Sequence, residues 1–310
     1  MTEVDLADLI KELDQTAKDE FASGPEVVDK GHNLDIDDLP IQARRWHRVT
    51  DAVAVVADLK NSTRLGTGKH AKSTASIYQA STGGVVRIFD EFDADFLSIQ
   101  GDGAFALFWG DKRYERALCA GITIKTFSLK LVKRLEDRWP NDEEIPKTGY
   151  KVGIAASRLL VKRVGTPRNP NQQEPIWPGK AVNYAAKAAQ GVDRHFMAVT
   201  GTVWDEVSKN EFLTYSCPCG DGPSPTIWED HTIDRLPDGD PDAEGRKLSS
   251  QWCETHGEEF CAAILRGNKK RVEVNSAKMK EVANNLRSAI SLTAEQKRTA
   301  LRARRSGMGF

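Results

Sequence analysis

Two aspartates sit where chemistry could be done. Asp58 closes the apolar run Val53-Ala54-Val55-Val56-Ala57, and Asp102 sits in Gly101-Asp102-Gly103 between the apolar stretches 95–100 and 104–109. Each has a structural use of its own. Asp58 could cap the helix that begins near Ser62, and Asp-Gly between strands is an ordinary hairpin turn. Taken together they point elsewhere. Both aspartates end a strand beside a turn, with one long helix between them, so two strands of one sheet can bring two carboxylates together. Paired hard oxygen ligands suit Mg²⁺ or Mn²⁺. Two such ions roughly 3.5–4 Å apart would activate one oxygen and neutralise a leaving phosphate. Backbone N–H groups around Asn61, Ser62 and Thr63, at a helix start, could hold phosphate oxygens.

The elements that must position these groups follow from the hydrophobic pattern. Residues 3–22 read as an amphipathic helix with Leu6, Leu9, Ile10 and Leu13 on one face. An acidic, turn-rich connection follows. The run 53–57 reads as a buried strand. Residues 73–92 have helical spacing, with Tyr78, Thr82, Val85 and Phe89 on one face. The hairpin around Asp102 leads to a second long helix over 114–135, carrying Leu118, Ile122, Leu129 and Val132. Residues 151–164 supply one or two strands, 182–189 a short Ala-rich helix, and 197–200 another strand. From residue 53 onward helices and strands alternate. A composition shift places a boundary near residue 206, giving an N-terminal helix and linker (1–44), a central domain (45–206) and a Cys/His-rich region with a basic helical tail (207–310).

The chain has 310 residues, 39% of them hydrophobic, with 44 basic and 45 acidic side chains for a net charge of -1. Balanced charge argues against a dedicated duplex-DNA binder, so nucleic acid is not the expected partner. No stretch reaches the roughly 18 apolar residues of a membrane helix. The acidic, helical start does not read as a signal peptide, and the cytoplasm is the simplest compartment. Five cysteines in such a chain point to reduced thiols or a metal rather than disulfides. Cys217-Pro218-Cys219-Gly220 precedes Cys253-Glu254-Thr255-His256 and Cys261. Two close ligand pairs across a loop suggest one structural Zn²⁺, held by Cys217, Cys219, Cys253 and either His256 or Cys261. Cys119 falls inside a helix and belongs to the core. Lys297, Arg298, Arg302, Arg304 and Arg305, after a Thr293/Gln296 capping box, read as a solvated basic helix.

Four motifs in order resemble the class III nucleotidyl cyclase catalytic domain: Ala57-Asp58-Leu59 with Ser62-Thr63, then Gly101-Asp102-Gly103-Ala104, then Lys151-Val152-Gly153-Ile154, then Gly179-Lys180-Ala181-Val182-Asn183-Tyr184-Ala185-Ala186-Lys187. The resemblance covers roughly residues 45–205. It implies a ferredoxin-like βαββαβ cyclase domain, followed here by the small zinc-binding-like region. It further implies that Asp58 and Asp102, with the Leu59 carbonyl, hold two Mg²⁺ or Mn²⁺ ions, and that Asn183 orients the ribose of a nucleoside triphosphate. Lys187 stands where the family usually has a transition-state Arg; it supplies the charge without the planar fork. The family also implies a homodimer with shared active sites, because its Asp pair and its Asn/Arg pair come from different subunits.

The departures concern the base. Adenylate cyclases of this class carry a Lys where this chain has Ser98 and an Asp where it has Ile176, followed here by Trp177-Pro178. A site that cannot pair a base's polar edge discriminates poorly for it. The chain therefore resembles the pyrimidine cyclases of bacterial anti-phage (Pycsar) systems, which make cyclic UMP or cyclic CMP. UTP is favoured over CTP by resemblance alone, and a downstream cyclic-nucleotide receptor is implied with it. Trp177 could stack on a base, though a loop Trp is more often packing. The alternatives are an adenylate or guanylate cyclase with a rearranged pocket and a non-catalytic cyclase-like domain binding nucleotide or nucleic acid.

Overall fold

The computed structural model describes residues 4–280 apart from 42–43, 167–168 and 226, together with 282, 283 and 287. Helix α1 (Leu6–Ala22) is capped by Asp5, whose side chain accepts from the Ala7 and Asp8 N–H groups. Strand β1 (Glu26–Gly31) runs parallel to the start of β2 (Arg45–Lys60). Then come the single turn α2 (Ser62–Leu65), helix α3 (Ala71–Glu91) and the hairpin β3 (Phe96–Gln100) and β4 (Gly103–Phe108). Helix α4 (Arg113–Arg138), β5 (Gly149–Gly165), β6 (Gln173–Ile176), α5 (Lys180–Gln190) and β7 (Met197–Val199) complete the central part. Beyond lie α6 (Gly201–Val207), α7 (Glu211–Thr214), β8 (Trp228–Thr232), β9 (Glu244–Leu248) and α8 (Gly257–Leu265).

The strands form one mixed sheet in the order β3-β4-β2-β5-β7-β9-β8. Strand β2 lies antiparallel to both β4 and β5, and β7 is parallel to β5. The inner order β3-β4-β2-β5 is the one a βαββαβ ferredoxin-like unit produces. Period-two alternation sorts β2 between two cores. Val53, Val55, Ala57 and Leu59 face α3 and α4, while Ala52 and Ala54 join the core under α5. Asp58 has the parity of Ala54, so it emerges on the α5 face. Strands β8 and β9 extend the sheet beyond β7, and the expected boundary near residue 206 falls inside α6.

Helix α5 is seated by the absence of side chains. A Cβ at Gly153 of β5 would lie 2.0 Å from the Ala185 carbonyl oxygen and 2.4 Å from the Ala189 nitrogen. Ala181, Ala185, Ala188 and Ala189 are the small residues turned toward the sheet. Glycine on the strand and alanine on the helix let backbone meet backbone.

The expected elements are present, β2, α4, β5 and α5 with longer bounds and α1, β3 and β7 with shorter ones, and 149–165 is one strand. Strand β1 is an addition within the expected linker. On α3, Ile77 rather than Tyr78 joins Thr82, Val85 and Phe89 in the core. Leu6, Leu9, Ile10 and Leu13 share a helix face but stay exposed. Cys119 is fully buried. Residues 272–280 are helical, whereas Thr293, Gln296 and the basic residues 297–305 lie outside the described residues. No helix among the described residues is long and apolar enough to cross a membrane.

Replacing Gly153 with Val must lift α5 off β5. Overpacking of this kind costs about 3 kcal/mol. Urea unfolding of Gly153→Val should show a midpoint lowered accordingly, and an unchanged midpoint would refute this seating of α5.

Candidate active site

Asp58 and Asp102 line one shallow cleft. The register pairs Ala57 with Ala104 and Val56 with Phe105, so the hairpin tip falls beside the end of β2. Gly101 at φ +66 turns the tip. Gly103 allows its close approach: a Cβ there would sit 2.8 Å from the Ala57 carbonyl oxygen. From α3, the Thr82 hydroxyl donates to the Asp102 carbonyl at 3.3 Å and holds the turn from the other side. The cleft is completed by Gln100, Phe105 and three residues of α5: Val182, Ala186 and Gln190.

Lys151 stands opposite Asp58 in the β2–β5 ladder, and its Nζ lies 2.5 Å from Asp58 Oδ2. Its side chain is only 16% exposed. The cation was legible only as part of a motif, not as a site residue. The signal was a charged residue at the head of the apolar strand run 152–156. Two carboxylates thus face one cleft floored by the small residues Ala57, Gly103 and Ala104, with a cation paired to one of them. Asp58 and Asp102 offer carboxylate oxygens, a donor set that fits Mg²⁺ or Mn²⁺, while the Leu59 side chain, which has no donor, is buried in the core.

The other expected residues are placed differently. Asn183 is exposed and Lys187 half-buried, with its Nζ 5.8 Å from the Tyr184 ring centroid. Neither lines the cleft of its own chain, because each lies one position, about 100° of helix, beyond Val182 and Ala186. Asn61 has φ +61, and its Nδ2 donates to the Lys147 carbonyl at 3.2 Å, anchoring the loop. Ser62 and Thr63 begin the four-residue turn α2. Ser98 is half-buried on β3 opposite Phe105. Ile176 ends β6, 40% exposed. Trp177 packs against Phe96 and Trp109, with centroids 4.8 and 5.7 Å away. Phe96, the partner of Trp177, precedes Ser98 by two residues and so shares its face of β3.

The Cys/His residues gather elsewhere. Ligand atoms of Cys217, Cys219, Cys253 and His256 all lie within 4.8 Å of one another. Cys261, the alternative fourth member, is not among them; its thiol meets that of Cys119. Five residues after His256 on α8, it points to another side of the helix.

No family model matches the chain. Over 309 residues it is 59% identical to the uridylate cyclase of Micromonospora echinofusca, across 99% of this chain and the whole of that protein. The chain belongs to the uridylate cyclase family. The uridylate cyclase of Propioniciclava tarda is 50% identical over 278 residues, 89% of this chain and 88% of that protein. Among solved structures, the adenylyl cyclase CyaB from P. aeruginosa superposes with a TM-score of 0.51 over 67% of this chain and 97% of that one, at 11% identity. That likeness shows the fold: a class III cyclase-like α+β architecture with a mixed sheet.

A methyl group at position 103 would push the hairpin tip, and Asp102 with it, away from Asp58. Displacement of a catalytic group by about 1 Å can cost on the order of 10²-fold in rate. Gly103→Ala should therefore lose at least tenfold in cyclase turnover while keeping most of its thermal stability. Wild-type turnover in this variant would show that the close approach does not position Asp102.

Proposed function

We propose that the chain converts UTP to 3′,5′-cyclic UMP and pyrophosphate, with CTP as the lesser substrate. The observation that carries this reading is the 59% identity, over nearly the full length, to a protein named uridylate cyclase. The cleft of Asp58, Asp102 and Lys151 supports it chemically.

Asp58 and Asp102, with the Leu59 carbonyl, would hold two Mg²⁺ or Mn²⁺ ions. Such ions, when bound, acidify a neighbouring hydroxyl and neutralise phosphate charge. The ribose 3′-oxygen attacks the α-phosphorus in line as its proton is lost to water. The bond from that phosphorus to the oxygen bridging to the β-phosphate breaks, and pyrophosphate leaves. Lys151, paired with Asp58 here, would offer its charge to the polyphosphate were the carboxylate to serve as a metal ligand. The turn at Ser62 and Thr63, positioned by Asn61, offers backbone N–H groups to the phosphates. Asn183 orients the ribose, and Lys187 supplies positive charge as a point rather than a fork.

Asn183 and Lys187 face away from their own cleft, so they serve the cleft of a second copy. A two-fold isologous homodimer gives two equivalent shared sites. Ser98 and Ile176, near Trp177, form the base-reading edge, which lacks the charged pair an adenine reader uses. Residues 45–206 form the catalytic unit. The setting is cytoplasmic, and the product is an anti-phage second messenger read by a cyclic-nucleotide receptor.

Competition among ATP, GTP, CTP and UTP at equal concentration, with Mn²⁺ and product identification by mass spectrometry, tests the reading. Cyclic UMP should dominate, with pyrimidines preferred at least roughly tenfold in kcat/KM, since shape alone can discriminate by up to about 10². Equal turnover of purines would replace the pyrimidine assignment with a purine one.

Subunit sharing has its own test. Asp58→Ala and Asn183→Ala should each lose activity, the former by about 10²-fold or more, because a lost metal ligand removes several kcal/mol of transition-state stabilisation. Mixed after subunit exchange, the two should recover activity through the one intact site per heterodimer. Exchange without recovery would place the whole site within one chain.

A further inference from the structure

Independently of the catalytic reading, the geometry points to a second metal centre: Cys217, Cys219, Cys253 and His256 bind one Zn²⁺ through three thiolates and His256 Nδ1. The Cys219 and Cys253 sulfurs are 3.8 Å apart, and His256 Nδ1 lies 3.4 Å from the first and 3.8 Å from the second. A tetrahedral ion with metal–sulfur bonds of about 2.3 Å and a metal–nitrogen bond of about 2.0 Å spaces its ligands about 3.8 Å apart for sulfur pairs and about 3.5 Å for sulfur–nitrogen pairs. Three of the donor atoms thus sit at the spacing of corners around a zinc ion, with the Cys217 sulfur within 4.8 Å of each. They are too far apart for a disulfide, which needs about 2.05 Å.

Both halves of the site are built by the surrounding backbone. In the first, Ser216 N–H donates to the Ser224 carbonyl at 2.9 Å and Gly222 N–H to the Cys219 carbonyl at 3.3 Å. A Cβ at Gly222 would lie 2.1 Å from the Cys217 carbonyl oxygen, so only glycine lets the loop fold back this far. Buried Arg271 donates through Nη1 to the carbonyls of Tyr215 and Ser216 at 3.1 and 2.9 Å, fixing the chain just before Cys217. In the second half, Gly257 N–H donates to the Cys253 carbonyl at 2.7 Å, the turn that opens α8. Trp252 ties this half to α4 through Thr126 and Thr123, at 3.1 and 2.9 Å. Four ligands from two preformed turns leave no open coordination position, so the ion is structural. Sulfur ligands select zinc over the hard cations suited to Asp58 and Asp102. The site lies on the α4 side of the sheet, opposite the carboxylates. Its role is to bolt the loop after α7 to the base of α8, where the α7–β8 connection has little core of its own.

The test uses full-length protein purified without added metal or chelator. Elemental analysis should find about one zinc per chain. Exchange into Co²⁺ should give the visible bands and thiolate charge-transfer absorption of a tetrahedral S₃N site. Chelation should lower the thermal midpoint and shift Trp252 fluorescence. Cys217→Ser with Cys253→Ser should reduce zinc to background, while His256→Cys and Cys261→Ser should retain it. Metal-free wild type with freely titrating thiols, a Cys219–Cys253 disulfide on peptide mapping, or zinc lost on Cys261→Ser would overturn the assignment. The wild-type zinc content stands even if the double variant fails to fold.

Discussion

The contact between α5 and β5 at Gly153 is the constraint on which the rest of the site depends. Alanine side chains bury little area, so α5 is not held chiefly by hydrophobic transfer. It is held by close dispersion contact between two backbones, which a single added carbon would abolish. That contact fixes the height and rotation of α5. Three stripes follow from it. Ala181, Ala185, Ala188 and Ala189 face the sheet. Val182, Ala186 and Gln190 wall the cleft of Asp58 and Asp102. Asn183 and Lys187 look outward.

The electrostatics rest on the same strand. Strand β5 carries Gly153 and, two residues earlier, Lys151, the partner of Asp58. A partly exposed ion pair contributes little to stability, typically under about 1 kcal/mol. Its value is positional. It sets a cation beside the Asp58 carboxylate and keeps that carboxylate oriented. The twelve residue pairs that join β2 to β5, from His47 with Val161 to Lys60 with Gly149, make that placement stiff.

Much of this was legible in the sequence because pattern and chemistry agreed. The apolar run before Asp58, the Gly-Asp-Gly turn and the periodic spacing of α4 each name their element directly. Other parts depend on partners that a linear reading does not supply. Strand β1 has only Val27 and Val28 as apolar residues, and it exists because β2 offers an edge. Strands β8 and β9 are largely charged. They are joined by cross-strand pairs, Asp230 with Arg246 at 2.9 Å and Glu229 with Lys247 at 3.0 Å, in place of an apolar stripe. Lys151 became a site residue only through its register with Asp58. The close cysteine pair was visible, but the choice of His256 over Cys261 turned on the phase of α8.

The three stripes of α5 also decide how this sequence can change over generations. Replacing Asn183 or Lys187 alters one stripe and leaves the other two where they are. Inserting or deleting a single residue near Ala181 turns every later position by about 100°. The alanines would then leave Gly153, and the cleft wall and the outward pair would be lost in the same event. A substitution within α5 therefore acts on one stripe at a time, whereas a change of length acts on all three, and its 11 residues form one heritable block.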